Sequence, residues 1–408
     1  MPKVITDKKM IQELLTRGVE KIYPSTQSLE KKLLSGERLR LYCGYDPTAP
    51  ALHIGNAISI NKLGQFQALG HEVVFLIGDF TGLIGDPTDK QAARRQMTRA
   101  EVLANARDYQ KQASAYLRFD GDNPAKVMYN SAWNDKLNFT DLIELASHFT
   151  VQRMITRDMF QARLKEEKPI YLHEFLYPLT QAYDSLFMDV DLEVGGNDQM
   201  FNMMCGRDLL KAKKNKEKFV LTMKLLADES GKKMGKTEGN VVFLDESANN
   251  MYGQVMSWPD NILASAFELC TNVPMAEVLK LSVDLKKGQI NPRDLKMRLA
   301  QEITRVNHGA EAAEEAQRNF INTIQKKGVP EDLPSWRAAQ AEYGIVDLAV
   351  AVWPEISKSE ARRLVEQGAI KIKLGETFQT IKDLKARIKI KPGLIIQRGK
   401  LHFKKIIS

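Results

Sequence analysis

Tyr42-Cys-Gly-Tyr-Asp-Pro-Thr-Ala-Pro-Ala-Leu-His-Ile-Gly-Asn56 is the stretch that decides the fold: a strand end, a turn and a helix start. Leu39 to Gly44 reads as a strand and His53 to Leu69 as a helix, with a fully buried strand from Glu72 to Gly78 after them. Working outward, Lys126 to Tyr129 reads as a third strand, and Asp191 to Val194 as a fourth that runs into Gly195-Gly196. Short β-rich runs alternating with helical patterns predict parallel βαβ units, an α/β fold with a Rossmann-like nucleotide-binding sheet. In such a sheet a strand's carboxyl end and the next helix's N-terminus converge on one crevice that suits phosphate. Gly44 lets a planar ligand approach the backbone, and Gly55 keeps the first helical turn clear of side chain.

The rest of the 408 residues bounds the answer. That length exceeds what one core supports, so several domains are expected. The N-terminus lacks an apolar signal region and runs such as Val73 to Ile77 are far too short to span a bilayer, which makes a cytoplasmic, membrane-free protein the expectation. Cys43, Cys205 and Cys270 are odd in number and far apart, so no disulfide framework or metal knuckle is expected, and no dedicated metal site. Lys and Arg number 59 against 51 Asp and Glu, a net +8. Residues 341–408 hold 14 basic and 7 acidic residues, so +7 of that excess sits in the tail and the other 340 residues are nearly neutral. A small basic module attached to a neutral body points to a polyanion grip.

Two clusters carry chemistry. His53 and Asn56, three apart on one helical face, can both donate toward one phosphate. Far downstream, Asp228-Glu-Ser-Gly-Lys-Lys-Met-Gly-Lys-Thr-Glu-Gly-Asn240 reads as a mobile glycine-rich loop whose lysines can meet charge developing on a departing pyrophosphate. Taken alone, each cluster is more often an ordinary feature: a satisfied surface or core histidine, or an exposed basic turn. Their order and company say more: His53-Ile-Gly-Asn56 and Lys233-Met-Gly-Lys-Thr237 resemble the two signatures of class I aminoacyl-tRNA synthetases. Tyr42-x-Gly-Tyr-Asp-Pro-Thr48, Gly82-Leu-Ile-Gly-Asp-Pro-Thr-Asp-Lys90, Gln181-Ala-Tyr-Asp184 and Gly195-Gly-Asn-Asp-Gln199 narrow the resemblance to tyrosyl-tRNA synthetases of bacterial type, over nearly the whole chain.

That resemblance implies activation of L-tyrosine with ATP, accompanied by Mg2+, and transfer of tyrosine to tRNA(Tyr) by a homodimer. It implies tyrosine contacts at Tyr42 and Asp184 for the phenol, at Asp86, Tyr177 and Gln181 for the ammonium, and at Gln199 near the carboxylate. ATP contacts are implied at Gly44, Asp46, Thr48, His53, Gly55, Asn56, Gly196, Asp198 and Lys236, and transition-state donors at His53, Asn56, Lys233, Lys236 and Thr237 with Lys90 and Arg94 beside the pyrophosphate. Independently, Tyr177, Gln181 and Asp184 follow the i, i+4, i+7 spacing of one helical stripe, with Pro178 predicting a helix that starts beside it and leaves Tyr177 just outside. Asn56 stands where the first signature more often has a second His, so a donor remains but not a titratable one. Enzymes of this family reject phenylalanine by a factor on the order of 10⁴ to 10⁵, a property of the family rather than of these residues.

The expected organisation is an N-terminal helical segment at 1–34, a catalytic domain at 35–225 with a dimer insertion near 125–175, the loop at 226–245, a separate helical domain at 246–327 and a linker at 328–340. A small α+β RNA-binding domain at 341–408 completes it. Ser357-Lys-Ser-Glu-Ala-Arg-Arg-Leu-Val-Glu-Gln-Gly-Ala-Ile-Lys371 resembles a module of ribosomal-protein type, with Arg362 and Arg363 on a helix and Lys371 and Lys373 on a strand as its basic face. The rivals are the tryptophan enzyme of the same fold, against which Tyr42 and Asp184 argue, and a non-catalytic RNA-binding relative, which has no physical need of His53 or the lysines. A phosphate-cradle NTPase is excluded because Gly82 to Lys90 lacks the Gly-Lys-Ser/Thr ending.

Overall fold

The computed structural model describes residues 2–88, 96–227, 241–322, 333–373, 375, 378–391, 393–399 and 402–407. The chain forms two compact units, Met1–Ser247 with Gln254–Ala310, and Ala248–Gly253 with Glu311–Ser408.

The first unit is built on six strands: β1 (Val19–Tyr23), β2 (Arg40–Tyr45), β3 (Glu72–Ile77), β4 (Lys126–Tyr129), β5 (Leu192–Gly196) and β6 (Phe219–Met223). Their spatial order is β1-β6-β5-β2-β3-β4, parallel except for β1 against β6. From β2 the chain proceeds outward to β3 and β4 on one side, then returns to β5 and β6 on the other. The switch point therefore lies between β2 and β5, and a crevice opens at their carboxyl ends. β3 is apolar from Val73 to Ile77 because helices cover both faces of a parallel sheet. The Ile54–Ala68 helix buries Ile54, Ala57, Ile60, Leu63 and Phe66, so apolar residues surround much of its axis.

Several expectations change. The 1–34 stretch is not wholly helical: Val19–Tyr23 is a strand, because the exposed ladder of β6 offers it an antiparallel partner. β6 itself is absent from the sequence reading, its short apolar run being obscured by the basic residues before it. The Leu172–Met188 helix runs straight through Pro178 and includes Tyr177. Glu174 fixes its start from inside, accepting from Tyr171 N at 2.9 Å and pairing with buried Arg163 at 2.7 Å, and burial outweighs the one backbone bond that proline removes.

The stretch expected as a separate helical domain at 246–327 does contain the helices Leu263–Cys270, Met275–Lys286 and Pro292–His308, the last started by Asn291 as expected. Most of it nevertheless belongs to the first unit. Arg17 is the physical reason: its guanidinium, 6% exposed, donates to the carbonyls of Glu268 at 3.0 Å, Thr271 at 2.5 Å and Val273 at 2.8 Å at the end of the Leu263–Cys270 helix.

In the second unit, helices Ile345–Val352 and Lys358–Glu366 pack their apolar faces with strands around Ile345, Leu348, Val352, Val365, Ile370, Ile396 and Ile406. The expected linker is partly structured: Ser335–Arg337 is an edge strand, parallel to His402–Ile407, with Trp336 against that core. Residues 323–332 of that linker lie outside the described residues.

Candidate active site

At the carboxyl ends of β2 and β5 a cavity of about 390 Å³ opens, lined by Tyr42, Gly44, Asp46, Thr48, His53, Gly55 and Asn56 from the opening stretch. Asp86, Tyr177, Gln181, Asp184, Gly196, Asp198 and Gln199 complete its lining. Every candidate ATP or amino-acid contact among the described residues therefore meets in one place. Lys90 and Arg94 lie outside the described residues, as do Lys233, Lys236 and Thr237. The described flanks of the 228–240 segment both reach this rim: Lys224, Leu225 and Leu226 line the cavity, while Ile54 N donates to Val242 O at 2.9 Å and Leu244 N to Leu52 O at 2.8 Å.

His53 and Asn56 close the helix N-terminus reciprocally. Asn56 N donates to His53 Nδ1 at 3.3 Å, and His53 N donates to Asn56 Oδ1 at 3.0 Å. With Nδ1 accepting, the neutral imidazole carries its proton on Nε2, and Asn56, its carbonyl held in the cap, keeps its NH2 as donor. A fifteen-residue helix adds its positive end to these donors.

On the other wall the Leu172–Met188 helix delivers Tyr177, Gln181 and Asp184 to the cavity as their spacing predicts. Asp184, 2% exposed, accepts from Trp133 Nε1 at 2.7 Å, Asn134 Nδ2 at 3.0 Å and Asn130 Nδ2 at 3.1 Å. Burial nevertheless pushes its carboxyl up to about 8, those donors pulling it down and the charge of Glu193 adding to the rise. Tyr42 does not bond Asp184; its hydroxyl lies 2.9 Å from Ser185 Oγ. Tyr177 donates to Asp46 Oδ2 at 2.8 Å, and Thr81 to Asp46 Oδ1 at 2.6 Å. Gly78 makes this possible, since a Cβ there would fall 2.0 Å from Asp46 Oδ1. Gln199 donates to Asp86 Oδ2 at 2.7 Å, and Thr88 bonds Asp86 Oδ1 while accepting from buried Arg157 at 2.7 Å.

Residues 34–325 match the family described as tRNA synthetases class I (W and Y). The chain belongs to that family. The synthetase is 42% identical over 397 residues to the tyrosine–tRNA ligase of Moorella thermoacetica, covering 96% of this chain and 94% of that one. It is 40% identical over 395 residues to that of Thermotoga maritima, covering 97% and 96%. Among solved structures, a C-terminally truncated mitochondrial tyrosyl-tRNA synthetase of Coccidioides posadasii superposes with a TM-score of 0.60 at 26% identity, over 76% of this chain and 91% of that one. The tyrosyl-tRNA synthetase of Archaeoglobus fulgidus, complexed with L-tyrosine, shares the fold at 22% identity and TM-score 0.60, over 76% and 100%.

The sequence reading missed the residues behind this wall: Thr81, Asn130, Trp133, Asn134, Arg157, Ser185, Glu193 and Lys218. Only the last two left a trace, as a carboxylate between Leu192 and Val194 and a lysine immediately before an apolar run. No helix among the described residues is long and apolar enough to cross a membrane.

In the second unit, Arg362 and Arg363 are exposed on the Lys358–Glu366 helix. Lys371 and Lys373 alternate with buried Ile370 and Ile372 on their strand, and Lys373 Nζ lies 5.5 Å from the Phe378 ring centre.

Proposed function

We propose that the chain is a tyrosine–tRNA ligase that converts tyrosine and ATP to tyrosyl-adenylate and pyrophosphate, then passes tyrosine to the 3′-terminal adenosine of tRNA(Tyr). The observation that carries this reading is a single cavity with a helix N-terminus bearing His53 and Asn56 on one wall and the polar stripe Tyr177, Gln181, Asp184 on the other. The curated relatives bearing that activity support it over nearly the full chain.

In this reading Tyr42 and Asp184 take the phenol, and Tyr177, Gln181 and Asp86 the ammonium, with Gln199 near the carboxylate. The tyrosine carboxylate attacks the α-phosphate in line, so no protein nucleophile is needed. Gly44, Gly55, Gly196, Asp46, Thr48 and Asp198 seat the nucleotide, while His53 and Asn56 donate to its phosphates. Lys233, Lys236 and Thr237, with Lys90 and Arg94, supply charge as pyrophosphate leaves; one such donor is typically worth ~2.7–4 kcal/mol of barrier. Asp46 and Asp86 are already engaged by protein donors, so magnesium would be carried by the nucleotide's phosphates rather than by these carboxylates, and would supply charge neutralisation there.

The 341–408 module grips tRNA through Arg362, Arg363, Lys371 and Lys373. Phe139, Ile143, Val151 and Leu172, from 58 to 84% exposed, give the 125–175 region an apolar surface suited to a homodimer. A cytoplasmic location follows the bacterial relatives. The test is formation of labelled tyrosyl-tRNA from tyrosine, ATP, magnesium and bulk tRNA. Product requiring all of them is expected; folded protein that makes none sinks the reading.

A further inference from the structure

Glu268 has no part in the catalytic scheme above, yet its carboxylate closes a ring of hydrogen bonds at the nucleotide edge of the cavity. Gly18 N donates to Glu268 Oε1 at 2.9 Å, Lys224 Nζ donates to the same oxygen at 2.8 Å, and Lys224 N donates to Gly18 O at 2.8 Å. Lys224 follows directly on β6, whose Met223 stands opposite Gly196 of β5 on one side and Val19 of β1 on the other. Lys224, Leu225 and Leu226 then line the cavity. Leu225 packs against the glycine corner there, since a Cβ on Gly196 would fall 3.1 Å from Leu225 Cδ2 and 2.5 Å from Asp198 Oδ1.

The turn at Gly18 is shaped for this join and braced from two helices. Gly18 is buried at φ +65°, and a Cβ there would fall 2.8 Å from Leu269 Cδ2 and 3.2 Å from Met223 Cε. Lys62, 2% exposed on the Ile54–Ala68 helix, donates to the carbonyls of Leu14 at 2.7 Å and Arg17 at 3.0 Å. Arg17 in turn holds the end of the Leu263–Cys270 helix that carries Glu268. Because the Ile54–Ala68 helix presents His53 and Asn56 to the cavity, the turn ties that wall to the 224–226 edge. An exposed ion pair contributes little by itself. Here the Glu268 carboxylate is 16% exposed and also accepts from a buried backbone N–H, which its removal leaves without that partner.

We propose that Glu268 is a positioning residue for the nucleotide: by clamping Lys224 to Gly18 it seats the 224–226 edge of the cavity against the corner at Gly196 and fixes that edge relative to His53 and Asn56. Glu268 does not itself line the cavity, so its effect passes through Lys224 and Leu225. The Leu172–Met188 helix, with its polar stripe, lies outside the ring. Loss of the clamp is therefore felt by ATP rather than by tyrosine. This inference rests on the cavity being the place where ATP and tyrosine react.

The experiment is steady-state pyrophosphate exchange by the full chain, with ATP and tyrosine varied in turn, for wild type, Glu268→Ala, Glu268→Gln, Lys224→Met and Glu268→Ala/Lys224→Met, with thermal melting to show that each is folded. Glu268→Ala and Lys224→Met are each expected to raise the ATP KM roughly fivefold or more, the scale of one hydrogen bond, and to leave the tyrosine KM within about twofold. Glu268→Gln keeps an oxygen that accepts from both donors and is expected to recover most of the ATP KM. The double variant is expected to be no worse than the poorer single one, because both break the same contact. A folded Glu268→Ala with unchanged ATP KM overturns the inference, as does a parallel rise in both KM values or a Glu268→Gln no better than Glu268→Ala. If Lys224→Met alone raises the ATP KM, or the two effects multiply in the double variant, Lys224 meets ATP directly and the role of Glu268 fails. A wild type without tyrosine-dependent exchange sinks the reading of the cavity and the inference with it, whereas an active wild type beside an unchanged Glu268→Ala sinks the inference alone.

Discussion

Asp184 shows how much one residue's surroundings decide. Its place on the Tyr177, Gln181, Asp184 stripe is legible from spacing, but the three donors that enclose it come from 130–134, a turn no periodicity reveals. Raised from an ordinary value near 3.8 to about 8 by burial, its carboxyl binds a proton more tightly folded than unfolded. The folded state therefore holds the extra proton between about pH 4 and 8, and Asp184's contribution to stability is full below 4 and lost as pH rises through 8. Thermal melting of Asp184→Asn against wild type across that range is expected to show the variant gaining relative stability with rising pH; a constant difference contradicts the assignment. Asp184→Ala is expected to raise the tyrosine KM about 100-fold in pyrophosphate exchange, since it leaves a phenol and three protein donors without a partner.

At the scale of elements, β2, β3, β4, β5 and the Ile54–Ala68 helix were readable because each is a short segment rich in apolar residues and bounded by turn signals. What escaped depended on partners distant in sequence. Val19–Tyr23 is a strand only because β6 lies beside it, and Pro178 sits inside a helix only because packing holds both halves. His71 is another such case: it follows the Ile54–Ala68 helix, is 1% exposed, and accepts from Leu39 N at Nδ1 at 3.2 Å, joining the entry of β2 to that of β3. Burial lowers its pKa from 6.5 to about 4, with the Arg38 charge adding to the fall. The unfolded chain thus binds more protons between those values, and the stability His71 contributes above 6.5 is lost as pH falls toward 4. This runs opposite to Asp184 over the same interval, so each is measured against its own variant. His71→Asn, which keeps an acceptor without titrating, is expected to lose less melting temperature than wild type from pH 7 to 4.5; equal losses contradict the assignment.

At the scale of the whole molecule, the net charge of +8 is a nearly neutral body with a +7 tail, and that division was visible in the sequence alone. Its boundary was not. Ser335–Arg337 belongs to the tail's sheet, so a cut that keeps that sheet whole falls before Ser335 rather than at 341. Removing 333–408 is expected to leave tyrosine-dependent exchange within about twofold and to abolish tRNA charging, while Arg362→Ala with Arg363→Ala flattens the salt dependence of tRNA binding by roughly 0.7–0.9 for each phosphate no longer neutralised. Loss of exchange and charging together contradicts the modular division. The central claim is that one cavity reads the phenol of tyrosine and activates its carboxylate, and the most direct measurement is kcat/KM for exchange of labelled pyrophosphate into ATP with tyrosine, phenylalanine and tryptophan in turn. Tyrosine is expected to exceed both others by on the order of 10⁴ or more, the range that hydrogen-bonded recognition of a hydroxyl reaches in this family. Comparable values for phenylalanine or tryptophan, or no exchange with tyrosine, contradict the account.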